Sequence, residues 1–260
     1  MRIALGISYN GQAYQGWQSQ ASGLTVQDKL ELALSKFASE RVSILCSGRT
    51  DAGVHALMQV VHFDTLKERT TFAWTRGTNA YLPKDIAVQW ALLTADDFHC
   101  RACATSRRYA YVVLDSAIRP SIETGRVGWT FLALDHDRMR QAANVLLGEH
   151  DFTSFRASQC QAISPIKTIT DIQIARKGAY WRIEFEANAF LHHMIRNIMG
   201  CLILVGQGKK PPEWMAEVLA ARDRRVAAPT FSPDGLYFLG PRYPPQWNIP
   251  DRTPSYDGLP

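Results

Sequence analysis

The sequence predicts an α+β protein made of two halves that share one element order. Three observations predict it. Residues 1–105 read as β-α-β-β-α-β, with the hydrophobic period switching between 2 and 3.6. Residues 106–240 follow the same order with one added helix. Six of the thirteen prolines (Pro241, Pro244, Pro245, Pro250, Pro254 and Pro260) fall in 241–260, which sets apart an extended, irregular tail.

The first strand is "RIALGISY", residues 2–9, with Ile3, Leu5 and Ile7 on one face. "NGQAYQGWQSQASG" then reads as a polar, glycine-bearing loop. In "TVQDKLELALSKFA", Thr25 is placed to cap a helix, with Asp28 three residues on. Val26, Leu30, Ala33, Leu34 and Phe37 give that helix an apolar stripe. "VSILCS" and "ALMQVVHFDT" are strands flanking a short loop, 71–81 is a helix, and "IAVQWALL" closes the half as a strand. In the second half, "RRYAYVVLD" is a strand and "DHDRMRQAANVLLG" a helix starting near Asp135 or His136. "IKTITDIQIARKG" and "AYWRIEFEA" form a hairpin around a Lys-Gly turn. "FLHHMIRNIMGCLILVG" and "PPEWMAEVLAAR" are helices, and "GLYFLG" is the last strand. Each half has the split β-α-β pattern of ferredoxin-like folds, which RRM-like sheets share. Two such sheets joined side by side would leave a central cleft, and junctions of that kind are common ligand sites.

Hydrophobic content of 46% and charged content of 20% are those of a globular chain. No apolar run approaches the ~18 residues of a membrane span. The N-terminus turns polar too early for a secretory signal, so a cytoplasmic location is expected. Five scattered cysteines argue against a disulfide framework. Cys100 and Cys103 form a C-x-x-C beside His99, but no second pair completes a zinc set, and no metal is expected. The net charge of +5 arises entirely after residue 100: residues 1–100 carry nine basic and nine acidic side chains, and 101–260 carry 20 and 15. That bias suits a polyanion partner. Its local clusters include Arg107–Arg108 and Lys209–Lys210, which could reach phosphates or stand as ordinary solvated charges.

The loop "CSGRTDAGVHA", residues 46–56, holds a single carboxylate, Asp51, two positions after Arg49. Asp-Ala-Gly is equally a plain turn. A loop after a strand can also present an acid to a cleft, where Arg49 would keep it ionised for use as a nucleophile or base. Tyr109 lies in "YAYVV", an ordinary half-buried strand pattern that can also offer a ring for base stacking. Arg196 lies in a mostly apolar helix. It either snorkels to the surface or pairs with a carboxylate, for which Asp51 is the natural candidate. His192 and His193 lack the spacing of a helical zinc pair.

Together these motifs resemble the TruA-type tRNA pseudouridine synthases over almost the whole chain. "GRTDAGVHA" is similar to that family's nucleophile loop, and "ISYNGQAYQGWQSQ" to its N-terminal strand and loop. "FHCRACATSRRYAY" resembles the segment carrying a base-stacking tyrosine, and "FLHHMIRNIMG" the helix carrying an active-site arginine. "GLYF" resembles the C-terminal strand near the site. The resemblance implies Asp51 as the catalytic aspartate, Tyr109 as the stacking ring, Arg196 as a site arginine and Leu236 as an apolar contact. It also implies a homodimer that isomerises uridine at positions 38, 39 and 40 of the tRNA anticodon arm without a cofactor. Residues 1–105 would then carry the aspartate loop, and 106–240 the tyrosine and arginine. The competing readings are a non-catalytic RNA-binding module and a metal or thiol enzyme built on Cys100 and Cys103.

Overall fold

The computed structural model describes residues 1–250. The expected tail residues Pro254 and Pro260 lie outside the described residues. The chain divides into two compact units. The first combines Met1–Ser106 with residues 237–250, and the second is Arg107–Leu236.

In the first unit, β1 (Arg2–Tyr9) leads through a 3-10 turn at Gly11–Ala13 to α1 (Val26–Ala38). Thr25 accepts from the Asp28 amide and caps α1, as the sequence pattern indicates. β2 (Leu45–Cys46), β3 (His55–Asp64), α2 (Thr71–Asn79) and β4 (Ile86–Thr94) follow. β1 pairs antiparallel with both β3 and β4, and β2 pairs with the far edge of β3. The resulting order, β4-β1-β3-β2, is the split β-α-β arrangement. β2 is much shorter than "VSILCS" suggests. The amides of Val42 and Ile44 are taken by the α1 side chains Ser35 (2.9 Å) and Glu31 (3.0 Å) instead of a strand partner.

The helical face of this sheet is filled around Trp74, which is fully buried between Phe37 and Phe63 in edge-on contacts at 5.2 Å. The opposite face is buried as well. Ala4, Met58, Val60, Trp90, Phe98 and Cys100 form a second cluster under Leu92, Tyr243, Trp247 and Ile249. The last strand, β10 (Leu236–Arg242), pairs in parallel with β3 through Tyr237 and Phe238, so the polypeptide returns to the first unit at 237. Residues 241–250 then pack down as a cover: the Tyr243 hydroxyl donates to the Cys100 carbonyl, and the rings of Tyr243 and Trp247 lie 5.4 and 5.3 Å from Phe98. Prolines prevent a regular α-helix here, leaving a single 3-10 turn at Pro245–Trp247, and the side chains cover an apolar face.

The second unit begins with β5 (Ser106–Asp115), flanked by the short parallel β6 (Gly128–Thr130). α3 (His136–Asn144) is capped by Asp135, which accepts from the Arg138 amide. β7 (Gly148–Asp151), β8 (Ile166–Lys177) and β9 (Tyr180–Ala187) complete the order β5-β9-β8-β7. Alternating burial along β9 puts Trp181, Ile183 and Phe185 in the core. α4 (Met194–Gly206) is buried nearly all round, which explains its unbroken apolar run. α4 starts four residues later than "FLHHM" suggests, because His193 takes a left-handed conformation (φ 61°) that a right-handed helix cannot include. α5 (Trp214–Ala221) ends the set. Among the described residues, no helix is long and apolar enough to cross a membrane.

The covering segment should contribute measurably. Trp247→Ala exposes the Phe98 cluster and should lower unfolding stability by about 1–2 kcal/mol, read as a lower urea midpoint at unchanged m-value.

Candidate functional site

Asp51 lies in the eight-residue loop 47–54 between β2 and β3 and is half-buried, while Arg49 is exposed and Thr50 buried. Several bonds fix this loop. At its start, the Ser47 amide donates to Val60 C=O (2.8 Å) and the Ser47 hydroxyl to Gln59 Oε1 (2.7 Å). At its turn, the Val54 amide donates to Asp51 C=O (3.2 Å). The remaining restraints come from the loop after β1. The Trp17 amide donates to Thr50 C=O (3.0 Å), the Gly53 amide to Tyr14 C=O (3.4 Å), and the Gly11 amide to His55 Nδ1 (3.1 Å). The hydroxyls of Tyr9 and Thr50 meet at 2.8 Å.

The two loops touch so closely that glycine is needed on one side. A Cβ at Gly11 would lie 1.9 Å from Val54 C=O, and one at Gly16, where φ is +86°, 2.8 Å from Thr50 C=O. The clasping loop is itself tethered. Tyr14 donates its hydroxyl to Asp85 (2.6 Å), and the Asn10 amide donates to Asp85 C=O (2.9 Å). Burial, followed by the bond to Asp85, pushes the Tyr14 phenol well above its ordinary pKa, so it stays a donor. The His55 ring stacks on Tyr237 at 4.6 Å, which joins β10 to the exit of the aspartate loop.

The other candidate residues belong to the second unit. Tyr109 lies on β5 opposite Phe185 of β9, is only 9% exposed, and meets the Phe190 ring edge-on at 5.3 Å. Arg107 is half-buried and donates to Asn188 C=O (3.0 Å). Arg108 is buried at 8% exposure, which does not suit the alternative of an ordinary solvated charge, and its register partner on β9 is Glu186. Arg196 is held twice by one residue. Its Nε donates to Phe231 C=O (3.0 Å), and its own C=O accepts from the Phe231 amide (3.1 Å). Next to it, the fully buried Asn197 donates to Phe155 C=O (2.8 Å) and accepts from Arg224 (3.0 Å) and Thr230 (2.7 Å). These bonds dock residues 224–231 against α4. Leu236 is buried at the start of β10. Lys209 and Lys210 are exposed at the end of α4, with their amines 6.0 Å from the Phe131 ring and 5.1 Å from the Trp214 ring.

Tyr9, Trp17 and His55 anchor the aspartate loop, and Phe231 and Asn197 anchor the surroundings of Arg196, roles that no motif in the sequence marks. For Tyr9 and Trp17 the local signal was the density of glycine and aromatic residues in "YNGQAYQGW".

All five cysteines are free thiols. His62, His99 and Cys100 bring ligand-type atoms within 4.8 Å of one another. Their bonding does not suit a cation. His62 Nδ1 accepts from the Cys100 amide (3.3 Å), and His99 Nδ1 from the amides of Arg101 and Ala102 (3.2 Å each). The Nδ1 lone pair of each ring is thereby engaged by backbone amides. Cys100 keeps its thiol proton on Leu45 C=O (3.3 Å).

The family can be named from the chain itself. A family model described as tRNA pseudouridine synthase matches residues 6–101 and 142–244, which span the aspartate loop, β9, α4 and β10. The chain belongs to the tRNA pseudouridine synthase family. It is 70% identical to a tRNA pseudouridine synthase A of Albidiferax ferrireducens and 68% identical to one of Polaromonas naphthalenivorans, in both cases over 100% of this chain and 100% of the relative. A solved H/ACA ribonucleoprotein bound to a substrate RNA aligns at 11% identity over 77% of this chain and 43% of that one, with a TM-score of 0.37, and carries no argument. As a member of this family the protein is an enzyme of the isomerase class.

His62 makes the first unit sensitive to acid. Burial, then the nearby charges of Arg2 and His99, push its pKa down from 6.5 to about 4. Between those values the unfolded chain binds a proton that the folded chain refuses, so stability falls as pH drops. Lowering the pH from about 7 to about 5 should cost about 2 kcal/mol through this group. Urea midpoints at the two pH values measure it, and in His62→Gln that share of the pH dependence should vanish.

Proposed function

We propose that the protein converts uridine to pseudouridine at positions 38, 39 and 40 of the tRNA anticodon arm, with Asp51 as the essential carboxylate and no cofactor. The observation that carries this reading is the sequence Gly48–Arg49–Thr50–Asp51, held in a loop whose backbone is tied to Trp17, Tyr14 and Val60. A turn of purely structural use needs no second loop to immobilise it. Membership of the family, and relatives aligned end to end that are tRNA pseudouridine synthases by name, support the substrate class.

The reaction exchanges the N1–C1′ bond of uridine for a C5–C1′ bond and moves one proton from C5 to N1, so atoms balance without a co-reactant. It requires a carboxylate at the nucleoside, a grip on the detached base, and a flipped-out nucleotide. We assign the carboxylate to Asp51 and the grip to stacking on Tyr109, with Leu236 as an apolar contact. A ring contact of that kind is worth about 1–3 kcal/mol per base. Arg196, already oriented by Phe231, is assigned to substrate binding, and the exposed Arg49 to the RNA backbone. Lys209 and Lys210 add sequence-independent phosphate contacts. The residues up to 105 would carry the carboxylate, and 106–240 the tyrosine and arginine. A homodimer in the cytoplasm, where tRNA is modified, completes the proposal.

Asp51→Ala and Asp51→Asn should abolish conversion while leaving the Kd for unmodified tRNA within about threefold, as expected for a residue that acts only in the chemical step. Chemical labelling of pseudouridine in tRNA transcripts reads the first, and a filter-binding assay the second. Full conversion by Asp51→Ala would exclude the assignment, and the same labelling maps which of the three positions react.

A further inference from the structure

We propose that the buried hydroxyl pair of Tyr9 and Thr50 is a positioning device for Asp51, setting the rate of the chemical step without contributing to tRNA affinity. This rests on the proposed role of Asp51 and deepens it.

Thr50 immediately precedes Asp51 and is held at two points. Its carbonyl accepts from the Trp17 amide (3.0 Å), and its hydroxyl meets Tyr9 Oη (2.8 Å). With both groups fixed, the peptide that leads into Asp51 has little freedom left. Thr50 is 7% exposed and Tyr9 is 4% exposed, so water does not compete for this bond.

Tyr9 is a rigid reference point. It is the last residue of β1, paired with Ala56 on one side and Ile86 on the other, and its ring leans on Trp17 at 5.8 Å. The β1–β3 register slips between Ile7 and Tyr9. Such a bulge re-aims the side chains that follow it, and bulges gather beside functional loops. Here the side chain after the slip is the one that reaches across 41 positions to the residue before the acid.

Packing alone does not account for the pair. Phenylalanine and valine fill the same space, and replacing both partners of a buried hydrogen bond by apolar groups of the same shape can be nearly neutral for stability. The hydroxyls are therefore expected to matter for where the backbone of residues 50–51 sits. Misplacing a reacting group by about 1 Å can slow chemistry about a hundredfold.

The test uses the full-length protein with Tyr9→Phe, Thr50→Val, the double variant and Thr50→Ser. Single-turnover conversion of a tRNA transcript, Kd by filter binding and thermal unfolding are measured for each. Tyr9→Phe and Thr50→Val should each slow conversion about ten- to hundredfold, with Kd within about twofold. The double variant should be no slower than the slower single variant, because one interaction is removed either way. It should also melt close to the wild type, which separates positioning from folding. Thr50→Ser, which keeps the hydroxyl, should restore conversion. A wild-type rate in Tyr9→Phe overturns the proposal, as do losses that multiply in the double variant or a Kd that rises in step with the fall in rate. An inactive wild type, or an active Asp51→Ala, would instead overturn the assignment of Asp51, so the two failures are distinct.

Discussion

The bond from the Trp17 amide to the Thr50 carbonyl is the constraint on which the aspartate loop depends. It joins two irregular segments that neither helix nor sheet would hold. Its strength comes from the other side of the same residues. The carbonyls of Gly16 and Trp17 accept from the Val26 and Gln27 amides (3.2 and 3.1 Å), which are among the N-terminal amides of α1 that have no partner within the helix. The clasping loop thus completes the N-terminus of α1 with its carbonyls and restrains the aspartate loop with an amide. A distortion at either end would be felt at the other. This is how a carboxylate on a loop acquires the rigidity of a helix and a sheet.

The second unit solves a similar problem with a helix. Arg196 sits in the first turn of α4, where an apolar helix would give a guanidinium little to lean on. Phe231 bonds both its side chain and its main chain, and Asn197 gathers Arg224 and Thr230 beside it. A Cβ at Gly200 would lie 2.2 Å from Pro229 C=O, so the same segment approaches the helix too closely for any other residue there. Satisfied buried polar groups of this type specify one arrangement more than they add stability.

The first unit's sheet is buried on both faces because its covering residues arrive from the far end of the chain. That burial has a chemical consequence at His62, which is kept neutral in a place where a charge would face Arg2. It also explains the bonding of the C-x-x-C segment. Cys100 is a core residue under Tyr243, with its thiol on Leu45 C=O.

The element order of the first unit, the Thr25 cap, the start of α3 near Asp135, the hairpin of β8 and β9 and the motif around Asp51 were legible from residues alone, because each is set by neighbours within a few positions, whereas the short strands β6 and β7 carried no such local pattern. Resemblance to the family carried the function for the same reason: its motifs are local strings. Other features were decided by contacts between distant positions. β2 shrank because α1 side chains took its amides, α4 began late because His193 turned left-handed, and Arg108 was buried opposite Glu186. Residues 237–250 rejoined the first unit through β3, although nothing local to them names that partner. The hydroxyl of Tyr9 found Thr50 because a strand slipped register by one place. Short-range chemistry is written in sequence, whereas the choice among many partners for a buried polar group is made only when the chain has closed around it.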